Sequence, residues 1–108
     1  LNISRSWAIK HQQKDWGQRH LHTNCLFSGI YYLEVNSKSG DITFEGNSCF
    51  QTSLVPTLKN FNQFTSDNLN ITPQTEYLFI FPSQLIHSVG TNLSPHERFC
   101  ISFDVTID

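Results

Sequence analysis

The chain has 108 residues, 38% of them apolar, which is enough for one buried core and too little for two ordinary domains. Its net charge of −2 supplies no basic stripe to neutralise phosphates, so nucleic acid is not an expected partner. No run approaches the roughly 18 apolar residues of a membrane span and the N-terminal segment has no signal-peptide stretch, so a cytoplasmic protein without membrane contact is expected.

The N-terminal segment up to Trp16 (LNISRSWAIKHQQKDW) reads as polar and carries no assigned element. The absence of methionine, with leucine at position 1, suggests an N-terminal truncation, and any helix packed outside a sheet would belong to the missing piece. Next comes His20-Leu21-His22, treated below. Residues 26–35 (LFSGIYYLEV) are rich in aromatic and β-branched side chains and end in Asn36-Ser37-Lys38-Ser39-Gly40, a cluster of turn formers. Residues 41–45 (DITFE) alternate, with Ile42 and Phe44 on one face, so the two runs together predict a hairpin.

Residues 46–73 show little alternation despite Phe50, Phe61 and Phe64; they are read either as a lid over a site or as a weak edge strand plus irregular coil. The continuous apolar run 77–81 (YLFIF) predicts a strand buried on both faces, broken at Pro82-Ser83. In 84–89, Leu85, His87 and Val89 share a face. After a turn over 90–95, residues 98–105 alternate cleanly: Phe99, Ile101, Phe103 and Val105 on one side, Arg98, Cys100, Ser102 and Asp104 on the other. Short strands between turn clusters predict an all-β antiparallel sandwich or barrel. The odd count of cysteines, Cys25, Cys49 and Cys100, with no CxxC spacing, predicts free thiols.

Chemistry is concentrated in the five histidines. A strand through His20 and His22 puts both on one face with Cα atoms about 6.5 to 7 Å apart, so two imidazoles can converge on one ion. His87, just beyond an apolar run on a later strand, is the natural third ligand. His11 lies in the polar N-terminal segment and His96 in the turn before Arg98, where solvated histidines are common.

From His20 onward the chain resembles the iron(II)- and 2-oxoglutarate-dependent oxygenases, particularly their prolyl-hydroxylase-like branch and a small uncharacterised family within it. The pieces that carry the resemblance are His20-Leu21-His22, Ser28-Gly29-Ile30-Tyr31-Tyr32-Leu33, Ser39-Gly40-Asp41-Ile42-Thr43-Phe44, Phe81-Pro82-Ser83-Gln84-Leu85-Ile86-His87 and Arg98, in the family's order. The resemblance implies one double-stranded β-helix domain (a jelly roll, cupin-like) over 1–108, and a dioxygenase that spends 2-oxoglutarate to hydroxylate an organic substrate of unread identity. It also implies that His20 and His87 are the two histidine ligands of iron(II), and that Arg98 pairs with the far carboxylate of 2-oxoglutarate while Tyr31 donates to the same group.

The family's carboxylate ligand is His22 here. Three imidazoles leave one more unit of positive charge than two imidazoles and a carboxylate, which would favour zinc, nickel or copper in vitro. A register shifted to His22 first, with Asn24 in the carboxylate slot, is the alternative, and Asp15 and Asp41 are the nearby carboxylates. Two other functions stay open: a cupin-like metalloprotein that does not use 2-oxoglutarate, and a non-catalytic jelly-roll binding module. A short jelly roll without outer helices is also expected to cover an exposed edge or apolar face as a homodimer.

Overall fold

Period-two alternation organises the chain, and every regular element is a strand in the computed structural model, which describes residues 1–46 and 68–107. In chain order these are β1 (Asn2–His11), β2 (Gly17–His20), β3 (Phe27–Glu34), β4 (Ile42–Glu45), β5 (Asn68–Ile71), β6 (Leu78–Pro82), β7 (His87–Val89) and β8 (Arg98–Thr106). They form two four-stranded antiparallel sheets, ordered β1-β8-β3-β6 and β2-β7-β4-β5. The protein is therefore all-β, with an arrangement compatible with a sandwich or jelly roll. Among the described residues no helix is long and apolar enough to cross a membrane.

The inward faces of the two sheets meet in one apolar cluster. Ile30 and Tyr32 of β3, Phe81 of β6 and Cys100 of β8 come from the first sheet, Ile42 and Phe44 of β4 from the second. Phe44 and Phe81 pack edge to face at 4.9 Å between centroids, a favourable aromatic geometry. Along the inward face of β8 and beside it the lining turns polar: Ser28, His87, Arg98, Ser102 and Asp104 are all buried. Buried polar groups need partners, so this stretch marks where a site is to be sought.

Three readings need correction. The runs around β3 and β4 do not form a hairpin. Both edges of β3 are already taken, by β8 and β6, so the chain crosses through the 35–41 turn to the opposite sheet. Gly40 makes that crossing possible: its φ of 100° suits a residue without Cβ, and a Cβ there would lie 2.2 Å from the carbonyl oxygen of Gly90.

The N-terminal segment, read as polar and given no element, is the ten-residue strand β1, paired along β8 from Asn2↔Thr106 to His11↔Arg98. Its signal was the alternation Trp7, Ile9, His11, which β1 turns inward. The run read as buried on both faces, β6, is an edge strand whose outward Leu78 and Ile80 are 52% and 60% exposed. Among the described residues it pairs only with β3, and Leu78 and Ile80 on its outer face are exposed. Within 46–73, for which a lid and an edge strand plus coil are the two readings, residues 68–71 form the edge strand β5. Residues 47–67 of that segment, with Cys49, lie outside the described residues; Cys25 and Cys100 are free thiols.

Candidate metal centre

Two strand ends and one loop bring the histidines together. His20 closes β2 and stands opposite His87, which opens β7, after a register irregularity between Gly17 and His20. Gly17 allows β2 to lie this close, because a Cβ there would meet the Val89 Cβ at 2.9 Å. His22 lies beyond the end of β2, where its N–H donates to the Ser83 carbonyl at 2.9 Å. The HxH spacing therefore works through a strand end and the chain just past it.

The ring centroids are 4.3 Å apart for His20 and His87, 5.2 Å for His20 and His22, and 5.2 Å for His22 and His87. One nitrogen from each ring lies within 4.8 Å of the others. The outward nitrogens are all engaged: His20 Nδ1 with the Gln18 carbonyl at 2.6 Å, His87 Nδ1 with the Leu85 carbonyl at 3.0 Å, His22 Nδ1 with Asp104 Oδ1 at 3.1 Å. Carbonyls and carboxylates only accept, so each Nδ1 carries a proton, and in the neutral form of each ring that leaves the Nε2 lone pair for a metal.

Electrostatics favour the same state. The His87 pKa is lowered to about 4, by burial first, with the Leu85 carbonyl opposing and the neighbouring His20 and His22 adding to the fall. His22 is also held below the usual histidine value, by burial first, with Asp104 opposing. Both are neutral at pH 7, which is the ligating form.

The pocket beside the histidines has a volume of about 90 Å³ and reaches Arg98. Arg98 is central in its sheet, between β1 and β3, and only 2% exposed. Its Nη1 donates to His11 Nδ1 at 3.2 Å and its Nη2 to the Tyr32 hydroxyl at 3.5 Å, while Nε has no partner among the described residues. No carboxylate among the described residues pairs with it. A fully buried guanidinium without an anion is costly, and it points to an anionic group that belongs there.

The family model described as "Putative 2OG-Fe(II) oxygenase" matches residues 5–104. The chain belongs to this family. No curated protein matches it. The 2OG-Fe(II) oxygenase match runs from Arg5 in β1 to Asp104 in β8 and so takes in all three histidines and Arg98.

Of the residues expected in this oxygenase site, His20, His22, His87 and Arg98 line one pocket and Tyr31 does not. Alternation along β3 sends Ile30 and Tyr32 inward and Tyr31 to the outer face, where it pairs with Leu78 and Ile101. The tyrosine that meets Arg98 is Tyr32, whose hydroxyl burial raises to a pKa of about 12 against the opposing pull of Arg98. Asn24 is exposed at φ 59° and lies on a different cleft, away from the histidines. Asp15 accepts from the Gln12 amide and Asp41 from Thr72, so neither carboxylate joins the cluster.

Two residues escaped the sequence reading. His11, expected to be solvated, sits opposite Arg98 in the β1–β8 ladder and lines the pocket. Asp104, visible only as an alternation position, is the carboxylate that reaches His22. Burial raises its pKa, but hydrogen bonds from Arg5 and Ser28, with the charges of Arg5 and of His22 once it is protonated in acid, outweigh that and hold it below the usual carboxylate range.

Proposed function

We propose that the protein is an iron(II)- and 2-oxoglutarate-dependent oxygenase that hydroxylates an organic substrate, built on a double-stranded β-helix. The strand orders β1-β8-β3-β6 and β2-β7-β4-β5 support that fold, since strands adjacent in the chain alternate between the two sheets through most of the sequence. The observation that carries the function is Arg98: a buried guanidinium whose Nε has no partner among the described residues, in the pocket that His20, His22 and His87 line.

In this reading His20, His22 and His87 hold the metal through Nε2, and their Nδ1 hydrogen bonds fix the ring orientations. Bound iron(II) with 2-oxoglutarate would supply the oxidising power for C–H hydroxylation. Arg98 would receive the far carboxylate of 2-oxoglutarate, with Tyr32 and His11 holding the guanidinium in place. Ile9, Ile30 and Val89, which also line the pocket, would exclude water from the buried ion pair.

Anaerobic titration of the iron(II)-loaded protein with 2-oxoglutarate, followed by its visible charge-transfer absorption, tests this. Binding at sub-millimolar concentration by the wild type, and its loss in Arg98→Ala with metal affinity unchanged, is the expected result. No binding by the wild type, or equal binding by the variant, would reject the oxygenase. The all-imidazole ligand set would then favour a cupin-like metalloprotein that does not use 2-oxoglutarate.

A further inference from the structure

His20 and His87 direct Nδ1 at neutral backbone carbonyls, whereas His22 directs Nδ1 at a carboxylate. That carboxylate, Asp104, is fully buried on the inward face of β8. Its Oδ1 faces His22 Nδ1 at 3.1 Å and Ser28 Oγ at 3.1 Å, and its Oδ2 accepts from Arg5 Nε at 2.5 Å. A carboxylate with three donors, one of them a guanidinium, is ionised in the fold. Among the described residues no other carboxylate contacts the three histidines.

A plain Arg5–Asp104 ion pair does not account for this placement. Arg5 is 62% exposed and solvated without Asp104, and a surface pair contributes little, so it gives no reason to bury a carboxylate beneath it. The face of Asp104 that is committed inward is the one on His22.

We propose that Asp104 returns to the metal centre, from outside the ligand shell, the negative charge that three imidazoles lack. By accepting the His22 Nδ1 proton in a charge-assisted hydrogen bond, it fixes the tautomer that offers Nε2. It also makes His22 the most electron-rich of the three ligands, closer to an anionic donor than to a neutral imidazole. The centre then approaches the charge of two imidazoles and a carboxylate while every ligand atom remains nitrogen. Asp104 is a positioning residue that acts through His22. The inference rests on the metal centre proposed above.

Asp104→Asn keeps the size and one carbonyl acceptor but removes the charge. Competition with a chelator for cobalt(II) should show affinity lowered about 10- to 100-fold, the cost typical of losing an outer-shell partner. The iron(III)/iron(II) potential should rise. Ser28→Ala removes a hydrogen bond from the same oxygen and leaves the charge, so its cobalt(II) affinity should stay within about threefold, well under that outer-shell cost. Moving the charge into the ligand shell, with His22→Asp added to Asp104→Asn, should recover iron(II) binding relative to Asp104→Asn alone.

Wild type and Asp104→Asn binding cobalt(II) equally would overturn the role of Asp104 and leave the metal centre standing. Ser28→Ala losing as much affinity as Asp104→Asn would overturn it too, because the effect would then follow hydrogen bonding and not charge. Wild type that binds no divalent metal removes the metal centre and this inference together. Should Asp104→Asn fail to fold, ¹⁵N NMR of the wild-type imidazoles decides: His22 must be the Nδ1–H tautomer, and an Nε2–H tautomer rejects the proposal.

Discussion

His20 and His87 are register partners across the β2–β7 ladder, with ring centroids 4.3 Å apart. Because the two strands are hydrogen-bonded neighbours, this pair is set by backbone pairing, and only His22 depends on the conformation of a loop. Replacing His87 by alanine should therefore abolish stoichiometric metal retention, with a loss larger than the roughly 10- to 100-fold typical of an outer-shell partner. His96→Ala, at an exposed position away from the cluster, should bind as the wild type does. Elemental analysis after dialysis against a fixed metal buffer makes the comparison; equal metal content in His87→Ala would remove His87 from the ligand set.

Arg98 should show opposite effects on ligand binding and on stability. Its guanidinium is buried without a carboxylate, so Arg98→Met, of similar length and without charge, should stabilise the ligand-free protein. A gain of about 1 kcal/mol corresponds to a melting-temperature rise of roughly 4–8 °C in a domain of this size. Calorimetry on the metal-free protein gives the sign directly. A lower melting temperature would mean that the contacts to His11 and Tyr32 outweigh the cost of the buried charge.

The two adjacent tyrosines should separate cleanly. Tyr32→Phe removes a buried hydroxyl from Arg98 and should cost about 1 kcal/mol, the worth of one hydrogen bond. Tyr31→Phe, on the outer face of β3, should change stability by less than about 0.5 kcal/mol and leave 2-oxoglutarate affinity unaltered. Denaturation midpoints and anaerobic titration of both variants test this, and a loss of 2-oxoglutarate binding in Tyr31→Phe would contradict the outward placement.

Stability of the metal-free protein should depend on pH through His87. Its folded pKa of about 4 lies below the ordinary value of 6.5, so between these limits the unfolded chain binds a proton that the folded protein does not. Stability is then complete above about pH 6.5 and falls as the pH drops toward 4, by about 3 kcal/mol for this group. His22 adds in the same direction, while Asp104 acts only below the ordinary carboxylate pKa of 3.8. Urea denaturation at several pH values should show the loss, and His87→Asn should flatten the slope. An unchanged slope would place the titration elsewhere.

The sequence by itself determined the class of the protein and much of its chemistry. Alternation in β8, the turn formers before Gly40 and the His20-x-His22 spacing are local; a strand's period of two converts the first directly into faces, while His22 meets His20 from the chain just past the end of β2. The family's motif order likewise singled out His87 and Arg98, which the fold brings into one pocket.

What only the tertiary structure decided is which strand lies beside which and which face points inward. The same turn cluster that suits a hairpin also suits a crossing between sheets, and the choice depends on β8 and β6 having occupied both edges of β3. The polar side of β8 is the buried one, the reverse of what hydrophobicity suggests, because Arg98 and Asp104 find His11, Tyr32, His22, Ser28 and Arg5 there. Tyr31 and Tyr32 are adjacent and alike in type, so only the phase of β3 against its neighbours selects the inward one. The partnership of His22 with Asp104 spans most of the chain, and a contact between residues so far apart leaves no local pattern to read.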